Sequence, residues 1–219
     1  MATDIVIYWV DGNDKEWCAR RDAYLSDVVG NTDLSPSRYR DWDNLRFLFR
    51  GIEKNLSWFN KVFFVTDGQV PDWLDTENPR LKIVDHKEFI PEKYLPTFSS
   101  HPIELNLHRI EGLSEQFIVI NDDCFIVRPL EEKDFFVDGK PVDILMEYPI
   151  MCGGGNTVFS QILAGTFNVV GKHFDRGEYR KSLKIGDYPL LIFLCNIGLG
   201  IVNSSLARET WRGICVSFG

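Results

Sequence analysis

The chain has 219 residues, 44% of them hydrophobic and 13% aromatic, enough for one domain, or one domain with a small appendage, around a sizeable core. Its formal net charge of −8 and pI near 5.0 exclude the broad basic surface that nucleic-acid backbones require, so an anionic substrate needs a local positive pocket. Cys18, Cys124, Cys152, Cys195 and Cys215 are scattered, without a CxxC pair, which argues against a disulfide framework or a zinc cluster and for a reducing cytoplasm.

In chain order, MATDIVIYWV lacks a basic n-region and carries Asp4, so DIVIYWV (4–10) reads as a first strand and not as a leader. DGND (11–14) follows, a turn sequence whose Asp and Asn side chains bond their own backbone. RYRDWDNLR (38–46) gathers Arg38, Arg40 and Arg46 around Asp41 and Asp43 at a helix start. Arginines there suit a diphosphate, helped by free backbone N–H groups, and a surface ion-pair network suits the spacing equally. From Asp43 onward, Leu45, Leu48, Phe49, Ile52 and Leu56 predict an amphipathic helix that ends near Trp58. KVFFVT (61–66) reads as a buried strand running into Asp67, Gly68 and Gln69, and LKIVDH (81–86) as another.

LPTFSSHPIELNLHRI predicts a helix over 101–112, capped by Ser99 or Ser100, with Pro102 in its first turn. At about 100° per residue, His101, Glu104 and His108 share one stripe, and Ile103, Leu107 and Ile110 share another. His108 beside Arg109 joins a general acid or base to a phosphate-binding fork, the combination phosphoryl chemistry requires. The spacing HxxExxxH is not HExxH, so zinc is rejected, and a solvated face with Glu104 paired to His108 is the alternative. FIVIN (117–121) closes this series, with Asp122 and Asp123 behind it. Adjacent carboxylates at the end of an apolar strand resist burial unless a cation or donors compensate them. Their hard oxygens suit Mg²⁺ or Mn²⁺ under the phosphates of a nucleotide-sugar; a surface turn is the alternative.

DILMEY (143–148) reads as a further strand. CGGGN (152–156) lacks phosphate-loop spacing and reads as a flexible loop. PLLIFLCNIGLGIV (189–202) is broken by Asn and Gly and falls short of the ~20 residues a span needs, so no membrane-spanning segment is predicted. Strands alternating with helices predict an α/β class with a mainly parallel sheet flanked by helices. Ligands in such sheets bind outside the carboxyl ends of the strands. Asp11 and Asp14, Asp67, and Asp122 with Asp123 would converge there. The expected division is a core over 1–150 and a C-terminal segment over 151–219.

Taken together, IYWVDGND, RYRDWDNLRFLFRGIEKNLSWFNKVFFVTDGQVPDWLD, NPRLKIVDHKEF, LPTFSSHPIELNLHRIEGLSEQFIVINDD and DFF, in this order over residues 4–136, resemble the Stealth family. That family of sugar-phosphate transferases includes capsular polysaccharide phosphotransferases and the catalytic part of the animal GlcNAc-1-phosphotransferase. The resemblance implies a nucleotide-sugar transferase architecture, Rossmann-like or GT-A-like. It also implies transfer of hexose-1-phosphate from a UDP-sugar to a hydroxyl of a saccharide or polysaccharide acceptor, in capsule or exopolysaccharide synthesis, with Mg or Mn. The bond broken lies between the phosphorus atoms, and UMP leaves.

For that chemistry Asp122 and Asp123 are the metal candidates. His101, His108, Arg109 and Asp14 are the catalytic ones. Asp11, Arg38, Arg40, Asp41, Asp67, Gln69 and Glu104 are those for substrate. The resemblance places the protein in the cytoplasm and leaves open a peripheral association with a membrane capsule-assembly complex; no nucleic-acid partner is expected. Family blocks are not found after about Lys184, so the chain is expected to be an incomplete form. Two rivals stand beside this reading: a metal-dependent glycosyltransferase that moves the sugar alone, and an inactive nucleotide-sugar-binding remnant.

Overall fold

A computed structural model describes residues 2–26 and 39–142, together with the isolated positions 165, 169, 172 and 173. Arg38, the expected strand at 143–148, the glycine run at 152–156 and the apolar run at 189–202 lie outside the described residues. The chain divides into two compact units, Met1–Val142 and Asp143–Gly219, and the first contains every element described below.

The four apolar runs form four parallel strands: β1 (Thr3–Tyr8), β2 (Val62–Thr66), β3 (Leu81–Asp85) and β4 (Gln116–Asn121). Their order across the sheet is β3-β2-β1-β4, so β1 lies between β2 and β4. Tyr8 stands in register with Val65 on one side and Asn121 on the other. All four carboxyl ends therefore open on one edge, as the alternation of strands and helices predicts. Four helices accompany them, α1 (Lys15–Ser26), α2 (Leu45–Asn55), α3 (His86–Phe89) and α4 (Ser100–Asn106), and a small hairpin, β5 (Phe136–Val137) with β6 (Lys140–Pro141), ends the unit.

Alternation along the strands gives the sheet two apolar faces. Ile5, Ile7, Trp9, Phe64 and Ile120 pack with Leu45, Leu48 and Ile52 of α2. Val6, Phe63, Val65 and Val84 pack with Phe89, Ile90, Ile103, Leu107 and Ile110 on the other face, where Tyr8, Phe117 and Val119 join them. Each fully buried Ile or Leu contributes about 1.5–3 kcal/mol, and both faces are needed for a sheet this small. A Cβ on Gly51 of α2 would lie 2.8 Å from the Ile126 carbonyl oxygen. Glycine there lets the segment after β4 cross the helix, where Asn55 Nδ2 donates to the same carbonyl at 2.6 Å.

The helix expected over 101–112 is shorter. It spans Ser100–Asn106 and tightens into a 3₁₀ turn at Leu107–Arg109. Asn106 is buried, and its Nδ2 donates to the Pro102 carbonyl at 2.8 Å, competing for an acceptor that an α-helix reserves for its own backbone. At the opposite end of the sheet from the carboxyl edge, Asp4 is fully buried. One of its oxygens accepts from Asn60 Nδ2 at 2.8 Å and Lys61 N at 3.1 Å, the other from Ser114 N at 2.8 Å. Among the described residues no helix is long and apolar enough to cross a membrane.

Candidate functional site at the carboxyl edge of the sheet

The loop after β1 and the loop after β2 are latched together by Gln69. Its Oε1 accepts from Asp11 N at 2.8 Å, while its Nε2 donates to Asp11 O at 3.2 Å and to Asp14 Oδ2 at 2.9 Å. The other Asp14 oxygen accepts from Glu16 N at 2.8 Å and Trp17 N at 3.1 Å, so Asp14 caps α1. The bond from Gln69, then that from Trp17, holds the Asp14 carboxyl below the ordinary carboxylate value. Asp11 Oδ1 accepts from Asn13 N at 2.8 Å, the local turn its sequence announces.

Asp67, after β2, binds Arg20 of α1 at 2.8 Å and lies 4.0 Å from Nδ1 of His86. His86 is buried, and its Nε2 has no hydrogen-bond partner among the described residues. Burial pushes its pKa down, against the opposing pull of Asp67 and Asp85.

On the α4 face, the Tyr8 hydroxyl lies 2.9 Å from Glu104 Oε1 and 2.6 Å from Asn121 Oδ1. Burial, followed by the charge of Glu104, raises the phenol well above its ordinary value. His101, Glu104, His108 and Arg109 are all exposed, whereas Ile103, Leu107 and Ile110 are buried, so the polar and apolar stripes separate as the sequence spacing predicts. The Ser99 hydroxyl sits 3.3 Å from His101 Nδ1.

Asp122 and Asp123 follow Asn121 directly. Burial, then the neighbouring Asp123 and the nearby Asp41, push the Asp122 carboxyl above the usual range. Asp41 is fixed in turn: its Oδ2 accepts from Trp9 Nε1 at 3.3 Å and its Oδ1 from Asp43 N at 2.7 Å. Arg40 stacks over the exposed ring of Trp42 at 4.9 Å, and Arg46 pairs with Asp43 at 2.9 Å. Among the described residues no three His, Cys, Asp or Glu side chains gather into a complete metal cage. The edge thus joins Asp11, Asp14 and Gln69 in one latch, holds Asp67 separately against Arg20, and sets Asp41 near enough to Asp122 to raise its carboxyl. Tyr8, Asn121 and His86 escape the sequence reading because each lies in a predicted strand, and Arg20 because its helix carries no apolar stripe; only the assembled edge shows their polar partners.

The sequence model described as Stealth protein CR2, conserved region 2, matches residues 38–143. The receptor polysaccharide phosphotransferase WefC of Streptococcus oralis is 42% identical over 185 residues, 82% of this chain and 54% of that protein. The capsular polysaccharide phosphotransferase eps5J of Streptococcus thermophilus is 39% identical over 173 residues, 78% of this chain and 71% of that protein. The exopolysaccharide phosphotransferase cps2G of Lactiplantibacillus plantarum is 42% identical over 149 residues, 68% of this chain and 43% of that protein. The chain thus spans about half the length of the first of these relatives, and their similarity extends past the stretch at 4–136 that carries the resemblance.

Proposed function

This chain belongs to the Stealth family, and we propose that it transfers hexose-1-phosphate from a UDP-sugar to a hydroxyl of a saccharide acceptor in capsular or exopolysaccharide synthesis. The observation that carries the reading is the Asp122–Asp123 pair, with Asp41 nearby, at the carboxyl end of a parallel strand in a chain whose relatives are named phosphotransferases. A half-buried carboxylate beside an exposed one fits a divalent ion that completes its shell with substrate phosphates, and Asp122 and Asp123 would hold Mg²⁺ or Mn²⁺. Such an ion supplies neutralisation of the diphosphate and of the departing UMP.

The chain's own residues do the rest. Exposed Arg40 and Arg109 offer donors to phosphate oxygens. His101 or His108 takes the proton of the acceptor hydroxyl as its oxygen bonds to the β-phosphorus and the bond to UMP breaks. Asp14 and Gln69 act as the latch that keeps the loops after β1 and β2 in place. The reaction belongs in the cytoplasm or at the inner face of the cell membrane, in keeping with the free thiols of Cys18 and Cys124.

The test is to incubate the purified chain with a panel of UDP-sugars, Mn²⁺ or Mg²⁺ and saccharide acceptors, and to identify the nucleotide released. UMP with a phosphodiester product supports the reading. UDP in its place establishes the glycosyltransferase, and UDP-sugar binding without turnover the remnant. Asp122→Asn should lose both UMP release and the rise in Tm that Mn²⁺ gives the unaltered chain; an equal rise in both proteins overturns the metal assignment.

A further inference from the structure

Tyr8 is the last residue of β1, and its ring packs with the cluster that holds α4 on the sheet. Its hydroxyl crosses to two other elements: Glu104 on α4 at 2.9 Å, and Asn121 at the end of β4 at 2.6 Å. Asn121 directly precedes Asp122 and Asp123, and Glu104 shares α4 with His101, with exposed His108 in the 3₁₀ turn that follows. One phenolic oxygen therefore adds a polar bridge between the imidazole-bearing helix and the carboxylate-bearing strand end, beside the apolar packing the two share. A phenol carries one proton and also accepts: with that proton donated to Glu104 Oε1, the Asn121 amide meets the phenolic oxygen through an N–H once its oxygen and nitrogen exchange places, an orientation the hydrogen-bond network decides.

Resting on the transfer reading above, we propose that Tyr8 is a positioning residue of this site: its hydroxyl fixes the polar stripe of α4 relative to the Asp122–Asp123 end of β4. The apolar contacts of Ile103 and Leu107 hold α4 on the sheet but constrain rotation about its axis and sliding along it only loosely, because hydrophobic burial is non-directional. A hydrogen bond is directional and sets both. Phosphoryl transfer depends on keeping the proton acceptor and the diphosphate in line, so the consequence falls on turnover more than on donor binding.

The experiment uses Tyr8→Phe, which keeps the ring and removes only the hydroxyl, with Glu104→Ala and the double variant, all in the full chain. Each single variant should lower kcat for UMP release by about 10- to 100-fold while the KM for UDP-sugar changes by less than about 3-fold, and the double variant should fall no further than the worse single one. Glu104→Gln retains an oxygen acceptor for the phenol and should recover most of the loss seen with Glu104→Ala. Unchanged kcat in Tyr8→Phe, or losses that multiply in the double variant, overturns the proposal. Amide hydrogen exchange supplies an arm that needs no turnover. Tyr8→Phe should speed exchange across residues 101–109 and leave residues 62–66 unchanged. Unaltered exchange over 101–109 overturns the positioning role even where UMP is released normally. If the unaltered chain releases no UMP, the transfer reading fails, and the exchange arm alone decides whether Tyr8 fixes α4.

Discussion

Replacing Gly12 by alanine would put a methyl carbon 2.7 Å from the carbonyl carbon of Tyr39, 3.1 Å from its Cβ and closer still to its carbonyl oxygen. The obstacle is backbone, so no rotamer change relieves it. Tyr39 cannot retreat freely, since its hydroxyl donates to the Phe98 carbonyl at 3.2 Å and its ring lies 5.6 Å from Trp17 and 4.6 Å beneath the Arg21 guanidinium. Overpacking of this kind costs about 1–3 kcal/mol. Losing the Tyr39 hydrogen bond adds about 0.5–1.5 kcal/mol. A combined loss of about 2–4 kcal/mol corresponds to a fall in Tm of roughly 5–15 °C for a unit of this size. Differential scanning calorimetry of the full chain measures it, with Gly112→Ala as the reference. Gly112 has a φ of +81° and no atom within 4 Å of an added Cβ, so alanine there meets backbone strain without a clash. That strain costs about 1–2 kcal/mol. If Gly12→Ala melts no lower than Gly112→Ala, the close approach of Tyr39 does not govern this turn, and the reasoning fails.

Asp4→Ala should lower stability by about 3 kcal/mol, because Asn60, Lys61 and Ser114 are left with donors directed at a buried void. The urea midpoint reads this, and a loss under about 1 kcal/mol would show that water replaces the carboxylate without cost. For His86, burial depresses the folded pKa below its ordinary 6.5, so the fold keeps the ring neutral while the unfolded chain takes up a proton. Stability from this group is present above pH 6.5 and falls as pH drops below it toward the folded pKa. His86→Phe should flatten that slope between pH 7.5 and about 5, and an unchanged slope in urea titrations would assign the acid sensitivity to other groups.

The strands were legible because each is a short apolar run closed by polar residues, and DIVIYWV, KVFFVT, LKIVDH and FIVIN all emerge as β1 to β4. Helices between β1 and β2 and between β3 and β4 point to a parallel sheet, which is why the carboxylates at 11, 14, 67, 122 and 123 read as one edge, although β2 and β3 pair in parallel with no helix between them. Helix α1 was hidden. Trp17 is its one buried residue, so there is no apolar stripe to read, and that Trp packs on Tyr39 and Phe98 from distant segments. Asp14 reads from sequence as a catalytic carboxylate, and its contacts as a helix cap and a latch could not be read there, because all these roles use the same residue type. Its two oxygens are distinguished only by what donates to them. Glu104 was marked as a substrate group from its helical stripe, yet its partner Tyr8 lies 96 positions away, beyond the reach of any local pattern.

Strand β1 is locked at both ends, by Asp4 at its start and by Tyr8 at its finish, and it lies between two neighbours in parallel register. A slip of one residue along that strand would exchange its two faces, turning Ile5 and Ile7 toward α4 and the Tyr8 phenol toward α2. Such a slip buries the wrong side chains, so the same pressure that excludes misfolding also keeps the reactive edge in alignment. Fidelity of strand pairing and alignment of the proposed site are then one property in this protein. Variants that shift substrate preference should arise more readily in the loops at the edge than in the strand that holds them in place.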